Sequence, residues 1–222
     1  MNFAQSVLQF FDQLNDYPPV PPGVQVLNPY IKEEVKKVTR IFYEQYYNDP
    51  AERYLLIGIN PGRFGAGLTG IPFTDPIRLK TVCKIDNTFD PKPELSSKFI
   101  YELIDRMGGP HRFYGRFYFS SVSPLGFTKD GKNLNYYDNK TLQDTWEGFM
   151  VNNLKKQLSF GCSSKKAFVL GRGKNFQYMQ RLNEDNRLFD TLVELPHPRW
   201  VMQYRLKRID EFLSEYITKL SE

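Results

Sequence analysis

The sequence contains little cysteine and little histidine, with two of each among its 222 residues. Cys83 and Cys162 lie far apart in the chain, and two cysteines are too few for a disulfide framework. They are also too few for a zinc or iron–sulfur site of the usual spacing. We therefore expect that the protein holds no metal and needs no cofactor.

Long apolar runs are missing as well. The uninterrupted apolar stretches fall far short of the roughly 20 residues that a membrane-spanning helix needs. No signal peptide is indicated, because polar residues interrupt the apolar ones near the N-terminus. These residues are Gln5, Gln9, Asp12 and Gln13. Together with the few cysteines, these absences predict a cytoplasmic protein without a membrane partner.

The excess of positive charge is small. Thirty Lys and Arg residues against 25 Asp and Glu residues give a net charge of +5, which is compatible with a polyanionic partner but common without one. Basic residues concentrate in segments 165–174 and 199–208, and charge alone favours ordinary solvated surface there. Aromatic residues make up 15% of the chain, and those beside basic residues suit a surface that stacks on nucleic-acid bases.

Predicted strands and helices alternate along the chain. Apolar runs predict strands at 53–59, 117–122, 167–171 and 189–195. Helical spacing predicts helices at 5–15, 30–47, 97–107, 140–158, 174–183 and 201–219, with a proline-rich extended connector after the first and a polar loop near residues 123–135. This order predicts a three-layer α/β/α sandwich around a short, mainly parallel four-stranded sheet. The length predicts one domain, 1–222, with residues 1–50 as a helical lead-in packed on it.

The most informative segment is LLIGINPGRFGAGLTGIPFTD, residues 55–75. A buried strand ends at Asn60, and four glycines follow Pro61 within nine residues. Such a loop brings an amide and exposed backbone N–H groups to the end of a sheet, where ligands bind in open α/β proteins. A second short motif, Leu195 to Arg199, follows another predicted strand. Two polar loops at one sheet edge define a candidate site.

The same glycines match the dinucleotide-binding pattern G-x-G-x-x-G, at Gly65, Gly67 and Gly70. That fingerprint must leave its strand directly and open a helix. Here residues 60–64 intervene, and Pro72 prevents the helix from following. The Gly-Lys-Ser/Thr of a phosphate-binding loop is absent too. We therefore reject both nucleotide-binding interpretations.

Three motifs in order resemble those of the uracil-DNA glycosylase superfamily, most closely its single-strand-selective monofunctional (SMUG-type) branch. GINPGRFGAGLTGIPF (58–73) resembles G-M-N-P-G-P-F-G-M-x-Q-T-G-V-P-F, with the same separation from the Asn to the last Phe. FSSVSPLGFTKDGKNL (119–134) partly resembles H-N-L-C-P-L followed by G-R-N-L, and LPHPRW (195–200) resembles L-H-P-S-P-R. The likeness covers most of the chain and is compatible with a Bacteroidetes-type subgroup.

The resemblance implies a monofunctional DNA glycosylase of base excision repair, monomeric and located with the nucleoid in a bacterial cytosol. Its partner would be lesion-containing DNA, single- or double-stranded. Hydrolysis of an N-glycosidic bond needs a flipped nucleotide, an oriented water and stabilisation of the departing base. The motifs assign the water to Asn60 and the leaving base to His197. They assign stacking on the base to Phe73 and close backbone approach to Gly62 and Phe64.

Other positions near the motifs allow two interpretations. Asp75 could orient the water together with Asn60, or it could cap the turn at Asp75-Pro76, and the cap is the simpler explanation. Arg63, Pro198, Arg199 and Trp200 are candidate DNA contacts. Trp200 could act as a wedge in the duplex or could anchor the last helix instead.

One departure from the family pattern affects the choice of substrate. Ser121 stands where the family has the Asn that reads uracil, and a single hydroxyl discriminates less than an amide. Asn133 could supply an amide nearby. Uracil is therefore the leading substrate, and xanthine and other deaminated or oxidised bases become candidates.

Two other classes of function stay open. One is a catalytically weak DNA-binding or damage-sensing protein on the same scaffold. The other is a small-molecule hydrolase on an α/β sandwich, which predicts no DNA affinity, whereas a glycosylase binds DNA in a salt-dependent manner.

Overall fold

The computed structural model describes all 222 residues, which form seven strands and ten α-helices. The strands are β1 Val24–Leu27, β2 Arg53–Gly58, β3 Phe117–Ser121, β4 Gly126–Lys129, β5 Lys132–Leu134, β6 Cys162–Leu170 and β7 Thr191–Leu195. The helices are α1 Phe3–Asp12, α2 Glu33–Tyr46, α3 Ala66–Thr69, α4 Pro76–Thr81, α5 Leu95–Arg106, α6 Pro110–Tyr114, α7 Lys140–Ser159, α8 Lys174–Asn186, α9 Pro198–Tyr204 and α10 Ile209–Ser221.

Four strands form the central sheet in the order β3-β2-β6-β7, and every neighbouring pair is parallel. The chain runs from β2 outward to β3, then crosses back to β6 and β7. Gly58 at the end of β2 pairs with Ser121 at the end of β3, and Leu170 of β6 pairs with Leu195 of β7. The carboxyl ends of all four strands therefore meet at one edge of the sheet.

Helices cover both faces of this sheet. The order of strands across the sheet runs one way from β2 to β3 and the opposite way from β3 to β6 and β7. Right-handed crossovers therefore put α5 on one face and α7 and α8 on the other. The contacts agree with this, since α5 packs against α9 and α10, whereas α7 packs against α1. The predicted α/β fold with a four-stranded parallel sheet is confirmed. The N-terminal helices contribute Phe3, Val7 and Phe42 to the same continuous hydrophobic core as strand β2.

A second sheet was not predicted. Strands β1, β4 and β5 form a three-stranded antiparallel sheet from the proline-rich connector and the supposed polar loop. Strands β4 and β5 are joined by Asp130 and Gly131, which both have positive φ, 50° and 68°. Two such residues match the twist of a tight hairpin turn, for which Asp-Gly is a preferred sequence. The prediction of a simple loop there was wrong.

The predicted C-terminal helix over 201–219 is two helices. Helix α9 starts earlier, at Pro198, and a 3₁₀ turn at Leu206–Arg208 separates it from α10. Proline favours the first position of a helix, because its missing N–H would have no intrahelical partner there. No helix of the structure combines the length and the apolar character needed to cross a bilayer.

Candidate active site

A cavity of about 420 Å³ opens at the carboxyl edge of the central sheet. The loop after β2, the end of β3 and the loop between β7 and α9 form part of its wall, and the start of α5, the segment around β5 and helix α9 complete it. Asn60, Ser121 and His197 all line it, so the structure brings together the three strand-end side chains that the sequence motifs single out. Its size lies in the range of pockets that enclose a small ligand.

The side chain of Asn60 is held by backbone groups at the end of β5, just after it, and in its own loop. Its Oδ1 accepts a hydrogen bond from the Tyr136 N–H at 3.0 Å. Its Nδ2 donates to the carbonyls of Leu134 at 3.3 Å and Pro61 at 3.4 Å. An amide oxygen has two lone pairs, so Oδ1 keeps one for a ligand or a water. Motif reading alone could not identify these anchoring backbone groups.

The Ser121 hydroxyl is already committed as a donor. It gives its proton to the Ser123 carbonyl oxygen at 2.7 Å. Towards anything in the cavity, its oxygen can therefore only accept a hydrogen bond. Ser121 differs in this respect from an amide, which donates and accepts at once.

His197 is the N-cap residue of α9, and its ring is oriented by the helix. Nδ1 accepts a hydrogen bond from the Arg199 N–H at 3.1 Å. Burial, with a smaller contribution from the Arg199 charge, lowers the pKa of His197 from 6.5 to about 4. The ring is therefore neutral near pH 7. Because Nδ1 is an acceptor, the single ring proton lies on Nε2, and His197 offers a neutral donor to the cavity.

Phe73 lines the cavity in an unusual backbone conformation. Its φ of 54° lies in the left-handed region that non-glycine residues rarely adopt. Its ring centroid lies 5.1 Å from that of Phe119 and 6.2 Å from that of His197. Gly58 leaves space for the ring, since a Cβ there would come within 3.2 Å of Phe73 Cζ. Strained backbone of this kind concentrates at functional sites.

Asp75 does not line the cavity, although the sequence suggested that it could act beside Asn60. It is the fully buried N-cap of α4, and its Oδ1 accepts from the Arg78 N–H at 2.8 Å. Its Oδ2 pairs with Arg78 Nη1 at 3.0 Å and accepts from the Glu94 N–H at 2.9 Å. These bonds occupy the carboxylate, so the structure favours the capping interpretation over the catalytic one.

Glu94 lines the cavity, and the sequence gave no signal for it. It lies just before α5, 34 residues after Asn60, with no motif around it. Its Oε2 atom is buried without a hydrogen-bond partner. The carboxyl group lies against the glycine loop, because a Cβ on Gly65 would overlap it. Burial, reinforced by the nearby charge of Asp75 and opposed by Arg199, raises the pKa of Glu94 to about 7.

The glycine loop is fastened to the β4–β5 hairpin. Asn133 lines the cavity, and its Oδ1 accepts a hydrogen bond from the Arg63 N–H at 3.1 Å. The Arg63 guanidinium donates to the Gly131 carbonyl and stacks over the ring of Phe64, 4.4 Å from its centroid. Gly62 lines the cavity, but the exposed Phe64 ring does not. The predicted approach of the Gly62 to Phe64 backbone to the base does not involve the Phe64 ring, and it stays a prediction.

Helix α9 contributes the other wall. Arg199 lines the cavity, is exposed, and forms no ion pair with another side chain. Trp200 also lines it with 39% of its surface exposed, while its ring packs edge-on against Phe212 of α10 at 5.7 Å. Trp200 thus both faces the cavity and contacts the last helix. Pro198 is buried in the first turn of α9 and does not line the cavity, and its contact with DNA stays a prediction.

Nothing at the site is suited to holding a metal, since no group of three or more His, Cys, Asp and Glu side chains is placed to do so. The site consists of neutral amides and hydroxyls, one neutral imidazole, one buried carboxyl group and an unpaired arginine. Such groups can orient water, donate to a developing anion and attract a phosphate.

Comparison with known proteins agrees with this geometry. The family model of the uracil DNA glycosylase superfamily matches residues 44–221. The crystal structure of wild-type SMUG2 from Pedobacter heparinus is 42% identical, with a TM-score of 0.96. That alignment covers 100% of this chain and 97% of the other. A search of curated proteins gives no significant match. The chain is a DNA N-glycosylase and belongs to the uracil DNA glycosylase superfamily, in its SMUG-type branch.

Proposed function

We propose that this enzyme excises uracil from DNA with Asn60 and His197 as its catalytic residues. The observation that carries the proposal is that Asn60, Phe73, Ser121 and His197 line a single cavity at the carboxyl edge of the sheet. A base inside a duplex cannot reach such a cavity, so the nucleotide must flip out of the stack. Phe73 would then stack on the flipped base.

Asn60 would orient the attacking water through the free lone pair of Oδ1. A neutral amide is a poor base, so most of the acceleration must come from stabilising the departing base anion. The Nε2–H of His197 suits this role, because a neutral donor in an enclosed site is worth more than in water. Its lowered pKa keeps the ring neutral throughout the neutral range, and the hydrogen bond from the Arg199 N–H to Nδ1 keeps the ring proton on Nε2.

Ser121 supports a wider substrate range than that of an enzyme with Asn at this position. Its oxygen can accept from an N–H of the base but cannot donate to a carbonyl oxygen. Because xanthine also presents N–H groups beside carbonyl groups, it is a second substrate candidate. Hypoxanthine and oxidised pyrimidines are further candidates that the excision assay described below compares with uracil.

Arg63, Arg199 and Trp200 are the side chains that we assign to DNA. Arg63 and Arg199 are exposed beside the cavity, and Arg199 has no acidic partner that a phosphate would have to displace. The site favours neither a single-stranded nor a double-stranded substrate, and we propose a monomer acting in the bacterial cytosol. A damage sensor without catalysis is the second candidate, since Ser121 replaces the family Asn, but the intact Asn60 and His197 support catalysis.

The test is single-turnover excision from oligonucleotides that carry uracil, xanthine, hypoxanthine or hydroxymethyluracil, followed by heat cleavage of the abasic site. We expect abasic sites with uracil, and markedly fewer of them with Asn60→Ala. Salt-dependent binding to the same DNA without any abasic product would support the sensor instead. Absence of both binding and excision would refute the proposal.

A further inference from the structure

Glu94 is the one acidic side chain that lines the cavity, and the roles proposed above do not use it. Its main chain is fixed, because its N–H donates to the Asp75 carboxylate, which also caps α4 and pairs with Arg78. Its carboxyl group is confined by the glycine loop, and Oε2 has no partner. A buried polar atom without a partner costs free energy in the ligand-free protein. Rotation of the carboxyl group towards the cavity would let a ligand supply the missing hydrogen bond.

The charges around Glu94 favour its neutral form. The carboxylate of Asp75 lies behind it and disfavours a second negative charge, although Asp75 is itself paired with Arg78. Arg199, on the opposite wall, is the positive group that opposes protonation. A DNA phosphate bound to Arg199 would offset that charge, so the carboxyl group would be neutral more readily in the complex.

A neutral carboxyl group offers an O–H donor beside a C=O acceptor, the same pair that an amide offers. The reading position of this cavity lacks such a pair, because Ser121 has given its proton to Ser123. The edge of uracil presents carbonyl oxygens that need a donor. An ionised carboxylate would instead leave those oxygens without a donor and would repel the DNA backbone.

We propose that Glu94 is a specificity-determining residue whose protonated carboxyl group donates a hydrogen bond to a carbonyl oxygen of the flipped base. The inference rests on the proposed function of the cavity in base excision. It makes Glu94 a substitute for part of the contact that the family Asn provides. It also distinguishes uracil from cytosine, because cytosine has an amino group where uracil has a carbonyl oxygen.

The test compares wild type with Glu94→Gln and Glu94→Ala in single-turnover uracil excision from about pH 5.5 to pH 9. The amide of Gln permanently mimics the neutral carboxyl group. We expect the wild-type rate to fall as pH rises through the pKa of Glu94, and the Gln variant to keep its rate across the range. The Ala variant should be about tenfold slower at low pH, the effect of one lost hydrogen bond. Glu102→Gln, an exposed change on α5, is the matched control and should behave as wild type.

A binding experiment measures base choice without catalysis. Oligonucleotides with 2′-fluorouridine or 2′-fluorocytidine resist cleavage, and their affinity ratio reports discrimination. We expect the wild-type preference for uracil to fall above about pH 7 and that of Glu94→Gln to stay constant.

Three results would overturn the proposal. Loss of activity at every pH in Glu94→Gln would indicate that the carboxylate acts as a base on water. A pH profile of Glu94→Gln identical to wild type, or an affinity ratio that Glu94→Ala leaves unchanged, would leave Glu94 a structural residue. All three outcomes are compatible with uracil excision by the wild-type enzyme, which is measured separately in the same assay, so failure of this proposal and failure of the proposed function are distinguishable.

Discussion

Replacement of His197 tests the central electrostatic argument. His197→Ala removes the Nε2–H donor that faces the cavity, and it also removes the acceptor that caps α9. Loss of one preorganised donor to a developing anion typically slows catalysis about 10²- to 10³-fold. Loss of an N-cap costs about 1 kcal/mol of stability. His197→Asn separates the two effects, because Asn is a good N-cap but its shorter side chain does not carry a donor to the position of Nε2.

We therefore expect both variants to lose 10²- to 10³-fold in single-turnover excision. Only His197→Ala should also lower the free energy of unfolding, measured by urea denaturation. His111 is the only other histidine, is exposed, and does not line the cavity, so His111→Ala is the matched control. A rate within about threefold of wild type in His197→Asn would refute the assigned role, since a transition-state donor is worth far more.

The same residue makes stability depend on pH. The pKa of His197 is about 4 in the folded protein, against an ordinary value of 6.5. Between these values the unfolded chain binds more protons, so the free energy of unfolding falls as pH drops from about 6.5 to about 4. The loss amounts to at most about 3 to 4 kcal/mol, from 1.36 kcal/mol for each pKa unit. Urea titrations should show a weaker pH dependence in His197→Asn than in wild type, and an equal dependence would contradict the burial of the ring.

Three further substitutions test the remaining roles. Asn60→Ala should slow excision at least about tenfold with DNA affinity nearly unchanged, as measured by single-turnover rates and fluorescence anisotropy, because it removes water positioning rather than ground-state contacts. Asp75→Ala should cost about 2 to 4 kcal/mol in urea denaturation, since it breaks a cap and a buried ion pair together, while excision by the folded protein falls far less than in Asn60→Ala. Ser121→Asn should raise the ratio of uracil to xanthine excision by up to about tenfold, and an unchanged ratio would mean that position 121 does not read the base.

The central sheet could be predicted because its strands are apolar runs bounded by clear breakers. Strand β2 ends at the Asn-Pro-Gly sequence, and the prediction for it was off by one residue. Strand β6 was predicted too short, at 167–171, because its first half carries the polar segment 163–166. The end of that polar stretch still pairs with a neighbouring strand, since Lys166 lies opposite Thr191 of β7. The length of a strand depends on the strands with which it pairs, and a single sequence does not show those partners.

The second sheet was missed although one local signal was present. Asp130-Gly131 is a good two-residue hairpin turn, but the flanking strands are only four and three residues long. Strand β1, their third partner, begins at the end of the proline-rich connector, about 100 residues earlier in the chain. Short polar strands of this kind are stable only when they pair with further strands. Here the further strand is distant in the sequence, so the local pattern does not indicate it.

The positions of the two acidic residues near the site, Asp75 and Glu94, could not be predicted from motifs. Asp75 stands two residues after Phe73, and this place in the sequence suggested a catalytic role beside the capping role. Its carboxylate accepts hydrogen bonds from the N–H groups of Arg78 in α4 and of Glu94 just before α5. Glu94 has no motif and comes to the cavity because the Asp75 carboxylate binds its backbone N–H. The ion-paired acid thus positions the unpaired one, and burial beside Asp75 is what raises the pKa of Glu94. This contact between Asp75 and Glu94 forms only in the folded chain, so the sequence around Asp75 gave no indication of Glu94.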